Sequence, residues 1–403
     1  MFLFLTPVRA SAQQQAPKEI SSRQSSCTTR LWGPKAARED TFNELARRAS
    51  AAREADRIAE AIDLYRQALQ MRPSWHEGWW YLGTLFYEQD RYAEAREAFD
   101  KLLSLKPKGG VGWAMLGLCE FQLRQYDVAF EHLQQARVLG VPDETHLSVV
   151  SRYHLALLLN RMGKPEVALK LLYALARREG DSPSIITALG LCALALPHLP
   201  AELPQDQSEL ATLAGRAQYY MATRQMAEAR KASEQLISRY SNTANVHYSF
   251  GVFLLLQEPD AALEQFHREL QISVSHVSAR LQVAFEYIKR SEYAKGLPYA
   301  EEAVKLAPQL FAARNALGRI LLGMGETGRA IQELETGVKL APDSPDMHFA
   351  LARAYAQVGR KQDAARARTE FQKLDKIRRI AMEGSQAVGG IDPEEGEASL
   401  LSR

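Results

Sequence analysis

A small residue that returns every 34 positions constrains this chain more than any other feature of its sequence. Ala61, Ala95 and Ala129 follow one another at that spacing, and Gly296, Ala330 and Ala364 repeat it. Ala168, Ala229 and Ala262 fill the middle, at gaps that mark insertions. A period of this length means that one supersecondary unit is used repeatedly, because a single unit cannot bury its apolar face alone.

Other positions keep step with the series. Trp79-x-x-Leu82-Gly83-x-x-Phe86 precedes Ala95, and Trp113-x-x-Leu116-Gly117 precedes Ala129. Later copies are His247-x-x-Phe250-Gly251-x-x-Leu254, Arg280-x-x-Val283-Ala284-x-x-Tyr287, Arg314-x-x-Leu317-Gly318-x-x-Leu321 and His348-x-x-Leu351-Ala352-x-x-Tyr355. Tyr65, Phe99 and Phe266 stand four places after their alanines; Pro73, Pro107, Pro308 and Pro342 stand twelve places after their small residues. Over about residues 42 to 379 this pattern resembles the tetratricopeptide repeat, whose W-x2-L-G-x2-Y, A-x3-F and P landmarks recur with that period. The resemblance implies an all-α, right-handed superhelical solenoid of stacked helix-turn-helix hairpins. It also implies a protein-protein interaction scaffold, binding a peptide or protein partner in the concave groove.

Helical physics leads to the same unit. Within each half-repeat apolar residues recur at i, i+3, i+4 and i+7, and a Gly or Asp such as Asp90, Gly163, Gly325 or Gly359 separates the halves. Small residues at Gly83 and Ala95 let two helices approach closely, with Leu82, Phe86 and Phe99 around them. The closing proline stops the second helix, since it has no N–H and its ring clashes with the preceding turn.

The period breaks in places. Between Ala168 and Ala229 the step is far longer than one period, and a helical half-unit at 184–196 runs into Pro197-His198-Leu199-Pro200-Ala201-Glu202-Leu203-Pro204. A stretch so dense in proline cannot continue a helix. The expected organisation is therefore an amino-terminal block over 42–196, a Pro-rich interruption over 197–207, and a second block over 208–380 that ends in a capping helix. The interruption reads as a spacer, a hinge or a partner-binding loop. Glu120 stands where an aromatic belongs, Val274 where a proline belongs, Ser233 and Ala300 where an aromatic packs, and Arg368 at an apolar slot. Residues 13–41 and 381–403 read as a disordered leader and tail.

Composition narrows the function. Fifty Lys and Arg against 48 Asp and Glu leave a net charge of +2, which argues against nucleic acid as a partner. No run of about 18 apolar residues is present, so no membrane span is expected. Cys27, Cys119 and Cys192 form neither a CxxC pair nor a zinc-ligand spacing, and the last two read as small hydrophobes in apolar helices. The nine histidines form no HExxH or paired metal spacing. His247 and His348 occupy the slot of Trp79 and Trp113, where packing accounts for them. Lys108-Gly109-Gly110-Val111-Gly112 lacks a preceding strand and the Gly-Lys-Ser/Thr ending of a phosphate loop and reads as a turn. Nothing in the sequence calls for a catalytic residue, a metal or a cofactor. The other reading of function is a non-catalytic targeting or assembly subunit of an envelope or secretion enzyme complex.

The groove expected from the resemblance is lined by residues one, five and eight places after the Trp79-type slot. That rule selects Trp80, Thr84 and Tyr87, then Ala114, Leu118 and Phe121, and later Tyr153, Tyr248, Phe285, Asn315, Arg319, Phe349 and Arg353. Aromatics and Arg dominate interface energetics, although some of these rings could instead pack between repeats.

At the amino terminus, Ala10-Ser11-Ala12 ahead of Gln13-Gln14-Gln15 resembles the end of a secretory signal peptide, after the short apolar run Phe2 to Leu5. The expectation is a periplasmic or secreted protein, with the cytoplasm as the alternative. If 1–12 is a signal-peptide remnant, sequencing of the protein purified from its native host will read from near Gln13; an intact Met1 would place it in the cytoplasm.

Overall fold

The structure, a computed structural model, describes residues 34–387, with side chains described over 38–380. Among the described residues it holds nineteen α-helices and two short 3-10 turns, with no strand. The signal-like segment, Cys27, most of the expected leader and residues 388–403 lie outside the described residues. Two compact units part between Leu158 and Leu159.

The first unit holds α1 (Pro34–Glu54), α2 (Ile58–Met71), α3 (His76–Glu88), α4 (Tyr92–Leu105), α5 (Gly110–Gln122) and α6 (Tyr126–Leu139). The boundary falls inside α7 (His146–Arg161). The second unit contains α8 (Pro165–Glu179), α9 (Pro183–Ala193), α10 (Ser208–Ala222), α11 (Met226–Tyr240), α12 (Val246–Leu254) and α13 (Pro259–Ile272). It continues through α14 (Val277–Lys289), α15 (Tyr293–Leu306), α16 (Phe311–Gly323), α17 (Thr327–Leu340), α18 (Pro345–Gln357) and α19 (Lys361–Ala387). Each unit is an all-α stack of helical hairpins: α1 packs on α2, α3 on α4 and α5 on α6, and in the second unit α12 on α13, α14 on α15, α16 on α17 and α18 on α19.

Boundaries differ from those expected in three places. Helix begins at Pro34 rather than 42, and α19 continues past 380 to Ala387. The units part at 158/159, whereas the Pro-rich interruption at 197–207 lies within the second unit. The reason is local. A Cβ built on Gly190 would stand 1.8 Å from the Ala211 carbonyl oxygen, and one on Gly215 1.9 Å from that of Ile186. With no side chain at either glycine, α9 and α10 meet backbone against backbone, and α10 then packs on α11 as well. The interruption forms two 3-10 turns, Pro200–Glu202 and Gln205–Gln207. They are pinned by buried Leu199 and by Glu202, which accepts from Leu199 N–H (3.1 Å) and Arg161 (2.7 Å).

Within a hairpin the same device recurs. A Cβ on Gly83 would lie 2.9 Å from the Phe99 ring and on Gly117 2.8 Å from Leu133; in the second unit Gly251 meets Phe266 and Gly318 meets Leu334 at 2.6 Å. The chain reverses through left-handed residues at the same period: Asp56, Asp90 and Arg124 in the first unit, Ser291, Gly325 and Gly359 in the second. Slot residues that look unrelated make one bond. Trp79 and Trp113 Nε1–H donate to the carbonyls of Pro73 and Pro107 (2.8 Å each), and His348 Nε2 to Pro342 (2.9 Å). Arg314 Nε donates to Pro308 (3.2 Å), and His247 Nε2 to Ser241 (3.0 Å). Each ties the first helix of a hairpin to the carbonyl six positions before it, satisfying an acceptor at a helix end.

Where the sequence departs from the pattern, neighbours compensate. Glu120 is buried with His132 Nδ1 2.7 Å away, and the His132 ring rests on Trp113. Ser233 donates to the Ala229 carbonyl, 2.8 Å away. Past Val274 a polar joint replaces the proline. His276 Nδ1 accepts from Ala279 N–H (3.1 Å), so its Nε2–H is free to donate to Asn245 Oδ1 (2.9 Å). Asn245 donates its amide to the Leu194 carbonyl (2.9 Å), and buried Glu269 accepts the backbone N–H groups of Asn245 and Tyr248 (2.8 and 3.1 Å).

Two outcomes follow from these contacts. Gly83→Leu should force the Phe99 ring aside and cost about 1–3 kcal/mol, read as a lower Tm; an unchanged Tm would show that the two helices do not meet there. Burial holds the His276 imidazole below its usual 6.5, against the opposing pull of Glu269 and with the help of Arg280. Its pKa is depressed by folding, so its contribution is present above about 6.5 and lost as pH falls, when the unfolded chain takes up a proton that the folded chain refuses. His276→Asn, which keeps a capping oxygen, should shrink the fall in Tm between neutral and mildly acidic pH, leaving the part due to half-buried His154 and His267. An equal fall in the variant would assign the effect elsewhere.

Candidate functional site

The expected groove residues separate into three groups by what they touch. In the first unit, Trp80, Tyr87, Phe121 and Tyr153 are half-buried on α3, α5 and α7. Trp80 packs edge-on against Phe99 of its own hairpin (5.7 Å between ring centres). Tyr87 meets Tyr92 at 5.3 Å, and one period later Phe121 meets Tyr126 at 5.5 Å, both edge-on. Phe121 also abuts the half-buried His154 ring at 4.5 Å, and Tyr153 abuts the same ring at 5.4 Å. Burial pushes the Tyr87 hydroxyl up to about 12, with a hydrogen bond to Gln122 opposing the shift. Trp80 and Tyr87 are thus held within their own hairpin, while Phe121 also reaches the next first helix, and all four rings stay partly accessible. Thr84 shares that half-buried state, while Ala114 and Leu118 are buried.

In the second unit, packing claims more of the expected set. Tyr248 stacks obliquely on His276 (4.7 Å) and near Phe266 (5.9 Å), and burial raises its hydroxyl. Phe285 is half-buried against the core of α14 to α18, with the Arg319 guanidinium 5.9 Å above its ring. Asn315 is a correction. Expected in the groove, it is fully buried, and neither of its side-chain amide atoms finds a hydrogen-bond partner in the protein. A rule that counts positions from the slot therefore overshoots the open face of α16.

The last hairpin is different. Phe349 and Arg353 are exposed on α18, and they border a cavity of about 340 Å³ whose other wall is α19, with Arg368, Phe371 and Gln372. The Phe349 and Phe371 rings are 5.2 Å apart. Arg353 and Arg368 make no hydrogen bond or ion pair among the described residues. Arg319 is not part of this wall, so the structure does not bring the two expected arginines into one pocket. Arg368 and Phe371 were missing from the expected set. The signal that could have found them is the single period that separates them from Leu334 and Gly337.

Neither buried thiol resembles a nucleophile, since burial pushes Cys119 up to about 12 and raises Cys192 further. Among the described residues no three His, Cys, Asp or Glu side chains gather as a metal site requires, and no helix is long and apolar enough to cross a membrane.

Against known proteins, the tetratricopeptide-repeat family model matches residues 46–110 and 315–368. Over 132 residues, 32% of this chain, the sequence is 27% identical to anaphase-promoting complex subunit 3 of Schizosaccharomyces pombe; the match spans 20% of that protein's length. Among solved structures, a MamA RS-1 double mutant is 20% identical, with a TM-score of 0.39, over 42% of this chain and 96% of its own. MamA from Desulfovibrio magneticus RS-1 is 22% identical, with a TM-score of 0.37, over 43% and 96%.

Proposed function

From a chain that carries tetratricopeptide repeats over residues 46–110 and 315–368, we propose a protein-binding scaffold that takes a peptide or protein partner along the first helices of its repeats. The observation that carries this reading is a pair of aromatic contacts separated by one period. Tyr87 with Tyr92, and Phe121 with Tyr126, present equivalent half-exposed rings on α3 and α5. Aromatic side chains held by their own hairpin lose little rotamer freedom on binding and offer apolar area with a polar edge, the chemistry of interface anchors. The scaffold needs no catalytic group, metal or cofactor.

Random peptides displayed on phage and selected on the purified chain should enrich a binding sequence. Tyr87→Leu with Phe121→Leu keeps apolar bulk in both places and removes the rings. Affinity for the enriched peptide, measured by calorimetry, should fall about tenfold or more, with both proteins folded by their Tm. A selection that enriches nothing, or a peptide held equally by the double variant, would sink the reading.

A further inference from the structure

We propose that the last hairpin, α18 with α19, receives an acidic amphipathic helix of a partner protein, seated where the first helix of a further repeat would lie; this rests on the scaffold reading above. The comparison is internal to the second unit. One period before Arg368 and Phe371 stand Leu334 and Gly337, both buried. Gly337 is covered by the next first helix: a Cβ there would be 2.1 Å from the Met347 methyl of α18, and Met347 is fully buried. No helix follows α19 among the described residues. On the equivalent surface of the last hairpin Phe349 is 48% exposed.

The chemistry of that surface selects the occupant. Residues 349–380 carry nine Lys and Arg against three Asp and Glu, a local excess of six in a chain whose net charge is +2. All three acids are already engaged: Asp363 with Arg360 and Arg366, Glu370 with Lys373, and Asp375 with Arg378 and Arg379. The side chains of Arg353, Lys361, Arg368 and Lys376 make no hydrogen bond or ion pair among the described residues. Phe349 and Phe371 line the same cavity as the two arginines, and its volume of about 340 Å³ leaves room for one or two apolar side chains. A helix with an apolar stripe and flanking carboxylates satisfies both features. A second copy of this chain does not, because pairing this face with itself would bring two basic surfaces together.

The test uses two labelled synthetic peptides of about 15 residues, roughly the length of the helix that α18 supplies to the preceding repeat. One carries Leu at helical spacing with Glu elsewhere; the other has Lys in place of Glu. By fluorescence anisotropy the full chain should bind the acidic peptide and not the basic one, more weakly as salt rises. Arg353→Glu with Arg368→Glu should weaken binding at least about tenfold with Tm retained, since both side chains are exposed. Equal binding of the two peptides, unchanged affinity in the double variant, or a short DNA duplex bound as tightly as the acidic peptide would overturn the assignment. A chain ending at 387 that binds the peptide more tightly than the full chain would also overturn it, by naming the acidic stretch Asp392 to Glu397 as the occupant. Binding lost through Tyr87→Leu with Phe121→Leu but kept in the arginine variant would defeat this inference and leave the scaffold reading standing.

Discussion

The structure depends on missing side chains at the crossing of two helices. Gly83 and Gly117 in the first unit, and Gly251 and Gly318 in the second, let a Phe or Leu of the second helix lie against bare backbone of the first. Dispersion falls off steeply with distance, so a gap of one methyl at that crossing would forfeit contacts along the whole pair. Once the crossing is set, the turn is set with it. A left-handed residue closes the hairpin, and the slot residue reaches back to the carbonyl six positions earlier. A hairpin so closed still has an apolar side, and the next hairpin must cover it.

The period was legible because that crossing tolerates few residues and returns after a fixed length. What the slot residues do was less legible. Trp79, His348 and Arg314 share no size or charge, only an N–H that reaches the same kind of carbonyl. The joint of Asn245, Glu269 and His276 could not be read at all, since its members stand far apart along the chain and only folding makes them partners. The Pro-rich stretch interrupts the helices as expected, but the two units part elsewhere. Prolines announce the end of α9, but the contact of α9 with α10 is governed by Gly190 and Gly215, which carry no mark that distinguishes them from turn glycines.

Candidate site residues were legible as positions on a helix and less so as surfaces. Counting from the slot placed Trp80, Tyr87, Phe121, Phe349 and Arg353 where each has an edge toward solvent. The same count placed Asn315 there too, although both of its amide atoms are buried without a protein partner, a state that costs about 1–3 kcal/mol where nothing else satisfies it. A helix inside a stack has neighbours on two sides, so its open face is narrower than the period alone implies. Tyr248 shows the other outcome: an aromatic at a groove position whose ring packs against His276 and Phe266.

An exposed apolar face invites association, and Arg368 shows how the face of the last described hairpin limits it. Leu in that place, as at Leu334, would join Phe349 and Phe371 in a contiguous apolar patch that invites indiscriminate association. Arginine brings an apolar stem that lies along such rings and a charged head that stays in water. The face is then stable without a cover, and nothing in its geometry has to move before a cover arrives. What changes on covering is solvation. Two guanidinium groups without carboxylate partners would be desolvated, a step that only an occupant bearing carboxylates can offset. A surface built this way discriminates by penalty, since a neutral helix of the same shape would leave both charges buried and unpaired.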